Sequence, residues 1–429
     1  MCKCLSGSQS SILNSQFSIL NSQFSIFKQS IIMKRHIHQF TFLLVVTLFC
    51  LLTGCTKEPT PTPDNHDDEA YITDSVRYAS DHMMAYNFVY PSTDPDGNPV
   101  MLSGTITLGD NIVRHQHAKG LALYNHFTVY RADQCPSRGD LSIQKVMARS
   151  PLITISPDYY GFGITESKPQ AYCISAANAQ SSVDALIAAR KLLTDMGYCW
   201  ESHLFNCGYS QGGQTAMGVV RLVAEHYPDI HFDYTFAGAG SYDIPTTYRQ
   251  FILDSISGMP STVISVLLAY NHFFHLGIPH DSIFIEPLLS HIDDWVLSKR
   301  YTRQEIDAFV GTLFVAEYVT PTMLDLQSSI SRRLIATMQT DNLCQGWTPR
   351  PLEPIYLFHN TQDITVPDVN TTNLYNYLTS HGATNITLDI DDYGSSDLLP
   401  AHETGALYFM MHSVQTIADI LGIEPWSIL

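Results

Sequence analysis

The chain has 429 residues, with 23 Lys and Arg against 41 Asp and Glu and a formal net charge of −18. Length alone suggests two or three domains. A surface this acidic argues against nucleic acid as a partner.

The N-terminus is read as leader and not as mature protein. Ser11–Phe17 reads SILNSQF, and Ser18–Phe24 repeats it, with a decayed third copy from Ser25. Solenoid repeats need longer units and more copies to bury a core. Residues 1–32 are therefore read as translated upstream sequence, with Met33 as the start. Lys34 and Arg35 then precede Phe40–Leu52, FTFLLVVTLFCLL, an apolar run too short to span a bilayer. It ends in Leu52-Thr53-Gly54-Cys55, which resembles a bacterial lipobox. That resemblance implies a signal peptide over 33–55, lipidation of Cys55, and an exported protein anchored in the bacterial cell envelope, at the outer membrane on its periplasmic or surface face. The alternative is a plain secretory signal with an incidental cysteine. Removing the leader takes away Lys3, Lys28, Lys34 and Arg35 and no acid, so the mature chain is more acidic still.

Residues 56–75, rich in Pro, Thr and acid at their start, are expected to be a flexible tether. Five cysteines lie beyond the anchor: Cys135, Cys173, Cys199, Cys207 and Cys344. Export permits disulfides. Cys135 and Cys173, both expected on loops after strands near the site, are the expected pair; the alternative is that all thiols stay reduced.

From Val100 strand and helix signals alternate. MLSGTITLGD reads as a period-2 strand, and Gly120–Phe127 and Pro151–Gly163 as short apolar strands. Ser175–Met196 carries apolar residues at helical spacing. HLFNCGYS is the next strand, Gln211–His226 the next helix, and Asp233–Gly240 a further strand. Such alternation implies an α/β fold with a mostly parallel sheet flanked by helices. The rhythm stops over about 243–350, which reads as a helical insertion. It resumes with strand Pro354–Asp363, helix NTTNLYNYLTSHG, strand NITLDIDDYG and a last helix from about Glu403 to Leu421. The mature domain is thus placed at 76–429.

Within this pattern Gly208-Tyr209-Ser210-Gln211-Gly212-Gly213 falls between an apolar strand and a helix. A Gly-x-Ser-x-Gly string alone is weak; its position is informative. A sharp strand-to-helix turn strains the backbone at the serine, flanking glycines relieve the crowding, and the helix N-terminus favours a developing anion. A serine hydroxyl needs a base, and the base an orienting carboxylate. Asp363, just past an apolar strand in HNTQDITVP, is the expected acid; the competing reading is a cap for the next helix. His402 is the expected base, in a loop before the last helix. His412 lies inside that helix and is read as packed, and His381 comes before the last strand. The backbone N–H of Gln211 is expected as one oxyanion donor. The other is expected from the His126–Phe127 backbone, in a loop Asn125–Thr128 that has no glycine.

GYSQGG, HNTQDITVP, the late His402 and the DYYGFG segment together resemble the α/β-hydrolase superfamily, in its secretory-lipase-type branch, over about Val100–Leu421. The resemblance implies an α/β-hydrolase fold with a helical cap. It implies hydrolysis of a small-molecule or lipid carboxylic ester through an acyl-enzyme, with Ser210, His402 and Asp363 as nucleophile, base and acid and with no metal or organic cofactor. Histidine pairs such as His115/His117 and His272/His275 are read as packed or solvated, since no HExxH accompanies them. Asp158-Tyr159-Tyr160-Gly161 is read as pocket lining or as a turn. Cap stretches such as STVISVLLAY are read as core packing, with acyl contact as the alternative. The rival functions are a carbohydrate acetyl or feruloyl esterase, a prolyl-type serine peptidase, and a non-catalytic surface lipoprotein that binds a glycan or lipid. Oligomeric state is not encoded in any of these signals.

Overall fold

The computed structural model describes residues 69–139, 141–396 and 400–424. The upstream repeats, the signal peptide with Cys55 and the start of the tether lie outside the described residues.

Nine strands form one mixed sheet in the order β1-β2-β3-β5-β4-β6-β7-β8-β9. They are β1 Tyr71–Tyr78, β2 Met83–Thr93, β3 Pro99–Gly109, β4 His117–Asn125, β5 Leu152–Pro157, β6 Cys199–Tyr209, β7 Tyr234–Gly238, β8 Ile355–Asn360 and β9 Ile386–Asp391. Strands β5, β4, β6, β7, β8 and β9 run parallel. β1 and β3 each pair antiparallel with β2, and β3 is antiparallel to β5. LITISP and IYLFHN are buried along their whole length because helices cover both faces of the parallel part.

One expectation needs correction here. The tether does not extend to residue 75, because Tyr71 already opens β1, which pairs with β2 from Tyr71 opposite Val89. β1 is an edge strand with four exposed residues, so its polar text does not mark it as unstructured. β3 is a strand as expected, and most of its polar residues are buried along with its apolar ones. Thr105 and Thr107 are fully buried, and Thr105 Oγ1 donates to Asn87 Oδ1 at 2.7 Å.

Eight helices matter for the site: α1 Ser175–Asp195, α2 Gln211–His226, α3 Ile244–Asp254, α4 Pro260–Phe273, α5 Arg303–Val310, α6 Ser329–Thr340, α7 Val369–Ser380 and α8 Ala401–Leu421. Buried faces of α1, α2 and α4 share the main core with β2 to β5. α8 covers β8 through Phe409, which packs with Tyr356 and Phe358 in a second core. Helices α3 to α6 are the longest helices of the insertion between β7 and β8. It also holds short helices at Leu288–Ile292 and Pro321–Leu324, a π-helical turn at Asp293–Leu297 and two isolated bridges, Ile256 with Phe314 and Phe284 with Val319. In STVISVLLAY, Ile264, Leu267 and Tyr270 are fully buried, as core residues are.

The expected disulfide is absent: Cys135, Cys173, Cys199, Cys207 and Cys344 are all free thiols. Cys135 packs with Val129 and Phe162 in a small cluster of its own, while Cys173 belongs to the main core. Burial pushes both thiols well above their ordinary pKa.

Candidate active site

β6 ends at Tyr209 and α2 begins at Gln211, so Ser210 alone makes the turn. Its φ of 59° and ψ of −123° are strained for a residue with a Cβ, and such strain persists only where surroundings enforce it. Ser210 N–H donates to Gly238 O on β7 at 2.8 Å, which fixes the turn against the sheet. Two glycines make the close approach possible. A Cβ on Gly208 would stand 2.0 Å from Gly212 O, and one on Gly212 would stand 2.1 Å from Asn125 O.

Asp363 follows β8 by three residues. Its Oδ1 accepts from the N–H groups of Thr365 (2.8 Å) and Val366 (3.0 Å). Its Oδ2 lies 2.5 Å from His402 Nδ1. His402 Nε2 lies 2.9 Å from Ser210 Oγ. A carboxylate only accepts, so Nδ1 carries the proton and Nε2 turns its lone pair to the serine hydroxyl. The three residues foreseen from sequence are therefore brought together. His402 does not sit in a loop, however: α8 starts at Ala401 after Pro400, so the histidine is in its first turn. Pro400 has no N–H to contribute and opens the helix earlier than the polar text suggests.

Electrostatics couple the pair. Burial works against the imidazolium of His402, but the Asp363 carboxylate outweighs it and holds the pKa above the ordinary 6.5. Burial also works against the Asp363 anion; His402 and His359 overcome it and hold the carboxyl well below the usual range.

Other side chains fix this geometry. Tyr209 O–H donates to His402 O at 2.7 Å, and its ring lies 5.2 Å from the imidazole. Asn360 Nδ2 donates to Gly394 O and Ala401 O, both at 2.9 Å, while its Oδ1 accepts from Gln362 N and Tyr393 N. Asn360 thus ties the acid segment to the start of α8. Neither residue was singled out from sequence. The available signal was a polar His359-Asn360 pair closing a buried apolar strand. His412 keeps part of its surface exposed, but its ring stacks on Tyr356 with centroids 4.0 Å apart, so it is packed on the inner side of α8 as expected.

The segment after β4 lies against this turn, as the near contact of Gly212 with Asn125 O requires. His126 Nδ1 is 2.6 Å from Phe127 O, its Nε2 is 3.2 Å from Asp158 O, and its ring stacks on Tyr159 at 4.1 Å. Gln211 is the first residue of α2, where the backbone N–H has no partner within the helix.

A pocket opens beside Ser210 and Gln211. Its walls include Tyr172 and Cys173 and, from the insertion, Ile244, Phe251, Val263, Val266 and Leu267. Asp158–Gly161 is not among the lining residues. Tyr159 is a buried turn residue with φ of 65°, so the turn reading holds there. Among the described residues no group of three or more His, Cys, Asp or Glu side chains is placed to hold a metal ion.

The secretory lipase family model matches residues 139–412. The esterase LipA of Xanthomonas oryzae, described as rice cell wall degrading, superposes with a TM-score of 0.68 at 18% identity over 83% of this chain and 99% of its own. A candidate hydrolase of Legionella pneumophila does so at 0.70, with 19% identity over 82% and 97%. Candida antarctica lipase A in its closed state gives 0.60, with 14% identity over 82% of each chain. No curated protein matches the sequence. The superpositions establish the α/β-hydrolase fold with its mostly parallel sheet. With a family match across most of its length, the chain belongs to the secretory lipases, which are carboxylic ester hydrolases.

Proposed function

We propose that the chain cleaves carboxylic esters through a Ser210–His402–Asp363 triad and an acyl-enzyme, with the acyl or alkyl part of the substrate held in the pocket under the insertion. The observation that carries this reading is His402 spanning Ser210 Oγ at 2.9 Å and Asp363 Oδ2 at 2.5 Å. His402 Nε2 takes the hydroxyl proton as Ser210 Oγ attacks the ester carbonyl. The imidazolium then passes that proton to the leaving alkoxide as the C–O bond breaks. Water, deprotonated by the same nitrogen, attacks the acyl-enzyme and releases the acid and Ser210. The oxyanion is assigned to the N–H of Gln211, at the positive end of α2, and to the His126–Phe127 backbone. Export fits the family, and attachment to the cell envelope through Cys55 completes the reading.

The pocket walls of Ile244, Phe251, Val263, Val266 and Leu267 favour an apolar acyl group. A second reading, a carbohydrate esterase, draws on Ser241, Thr247, Thr262 and Thr365 in the same lining. The test is turnover of p-nitrophenyl esters from acetate to palmitate by residues 56–429 and by Ser210→Ala. The variant is expected to lose on the order of 10⁵-fold or more in kcat, and an optimum above acetate is expected. A Ser210→Ala protein that still turns over at the native rate would refute the triad. An optimum at acetate would favour the carbohydrate esterase.

A further inference from the structure

We propose that His359 is a positioning residue for this reaction: it grips the Asp363–Val366 segment and presents its Nε2–H edge to the Asp363 carboxylate, keeping the acid aligned with His402. The proposal rests on the triad reading above.

His359 is fully buried near the end of β8. Its Nε2 is 2.8 Å from Val366 O. A carbonyl only accepts, so Nε2 carries the proton. Nδ1 is then the acceptor, and Thr371 O–H, at 2.6 Å on α7, donates to it. The tautomer is thus set from both ends. Val366 is the residue that matters. Its N–H donates to Asp363 Oδ1, and its carbonyl is held by His359. Releasing His359 frees the segment that supplies both amides to the acid.

The second contact is to the acid itself. His359 Nε2 stands 3.6 Å from Asp363 Oδ2. This exceeds hydrogen-bond length, so it takes nothing from the short bond to His402. In a site where Asp363 and His359 side chains are wholly buried, an N–H dipole at that range still favours the anion. Charged groups near His402 are Asp363, Glu403 and Arg303, and Arg303 on α5 pairs with Glu403 at 3.1 Å.

The experiment uses mature protein carrying His359→Leu or His359→Gln. Steady-state kinetics across pH are combined with NMR of the His402 Nδ1 proton and of the His359 ring nitrogens. Leu is expected to lower kcat on the order of 10- to 100-fold, as misplacement of a catalytic group by ~1 Å does, with KM little changed. A loosened Asp363 supports the imidazolium less, so the acidic limb of kcat/KM moves to lower pH and the far-downfield His402 proton moves upfield. Gln, which can still donate to Val366 O, restores most of the rate. A folded Leu variant with native kcat, limb and proton shift overturns the proposal. If Leu does not fold, the native protein decides: a proton on His359 Nε2 is expected, and one on Nδ1 overturns it. A dead Ser210→Ala beside a fully active His359→Leu would sink this proposal alone. A fully active Ser210→Ala would sink the triad itself.

Discussion

The sheet and the insertion meet at one pocket but shape it by different means. On the sheet side, position comes from backbone: a strained turn at Ser210, two glycines with no room for a Cβ, and strand ends that deliver Asp363 and, through Asn360, the start of α8. On the insertion side, side chains of α3 and α4 form the wall. On the mechanism proposed above, the difference assigns rate to the first region and choice of ester to the second. Substitutions on the sheet side should slow every substrate alike. Those on α3 and α4 should reorder substrates.

The largest effect expected is from Asp363→Asn. With no anion opposite Nδ1, the imidazole loses its tautomer, and kcat falls on the order of 10⁴-fold for short and long esters equally. Kinetics on acetate and octanoate esters measure this, and a loss confined to one of them would break the division. Val266→Trp comes next. It fills the wall of α4, so long esters are expected to lose ~10- to 100-fold in kcat/KM relative to acetate. Labelling of Ser210 by a small fluorophosphonate should persist. A uniform loss would place rate control in the insertion as well. Tyr209→Phe removes one hydrogen bond to His402 O. About 1 kcal/mol of stability and ~10-fold in kcat are expected, read by thermal melts and turnover. The smallest effect is in pH. As the proposed base, His402 must be neutral, and its pKa is raised by Asp363. Activity should therefore rise with pH through a midpoint above 6.5, and a kcat/KM profile with a lower midpoint would contradict the coupling.

The same division explains what could be read from sequence. Ser210, Asp363 and His402 were legible because each is announced locally: a glycine-flanked turn, a carboxylate past an apolar strand, a histidine after the last strand. Helix Gln211–His226 was legible to its ends for the same reason. β1 and β2 were not, since an edge strand and its antiparallel neighbour mix exposed and buried residues and follow a tether-like run. Tyr209, His359 and Asn360 were legible as residues but not as supports, because their partners lie far along the chain or in a loop whose path sequence does not fix. The Cys135–Cys173 expectation failed on the same ground. Two loops that each follow a strand can enter separate clusters, and no spacing records which.

The insertion between β7 and β8 has a kinetic consequence. These strands are hydrogen-bonded neighbours in the finished sheet, Thr235 opposite Ile355, yet residues 239–354 come between them. Closing so long a loop costs little at equilibrium, about 0.6 kcal/mol for each doubling of length, but non-local pairing is slow to form. Ser210 lies before the detour and Asp363 and His402 after it. In vitro refolding should therefore recover the sheet around the serine well before esterase activity, and a chain shortened ahead of β8 should hold a serine with no base to activate it.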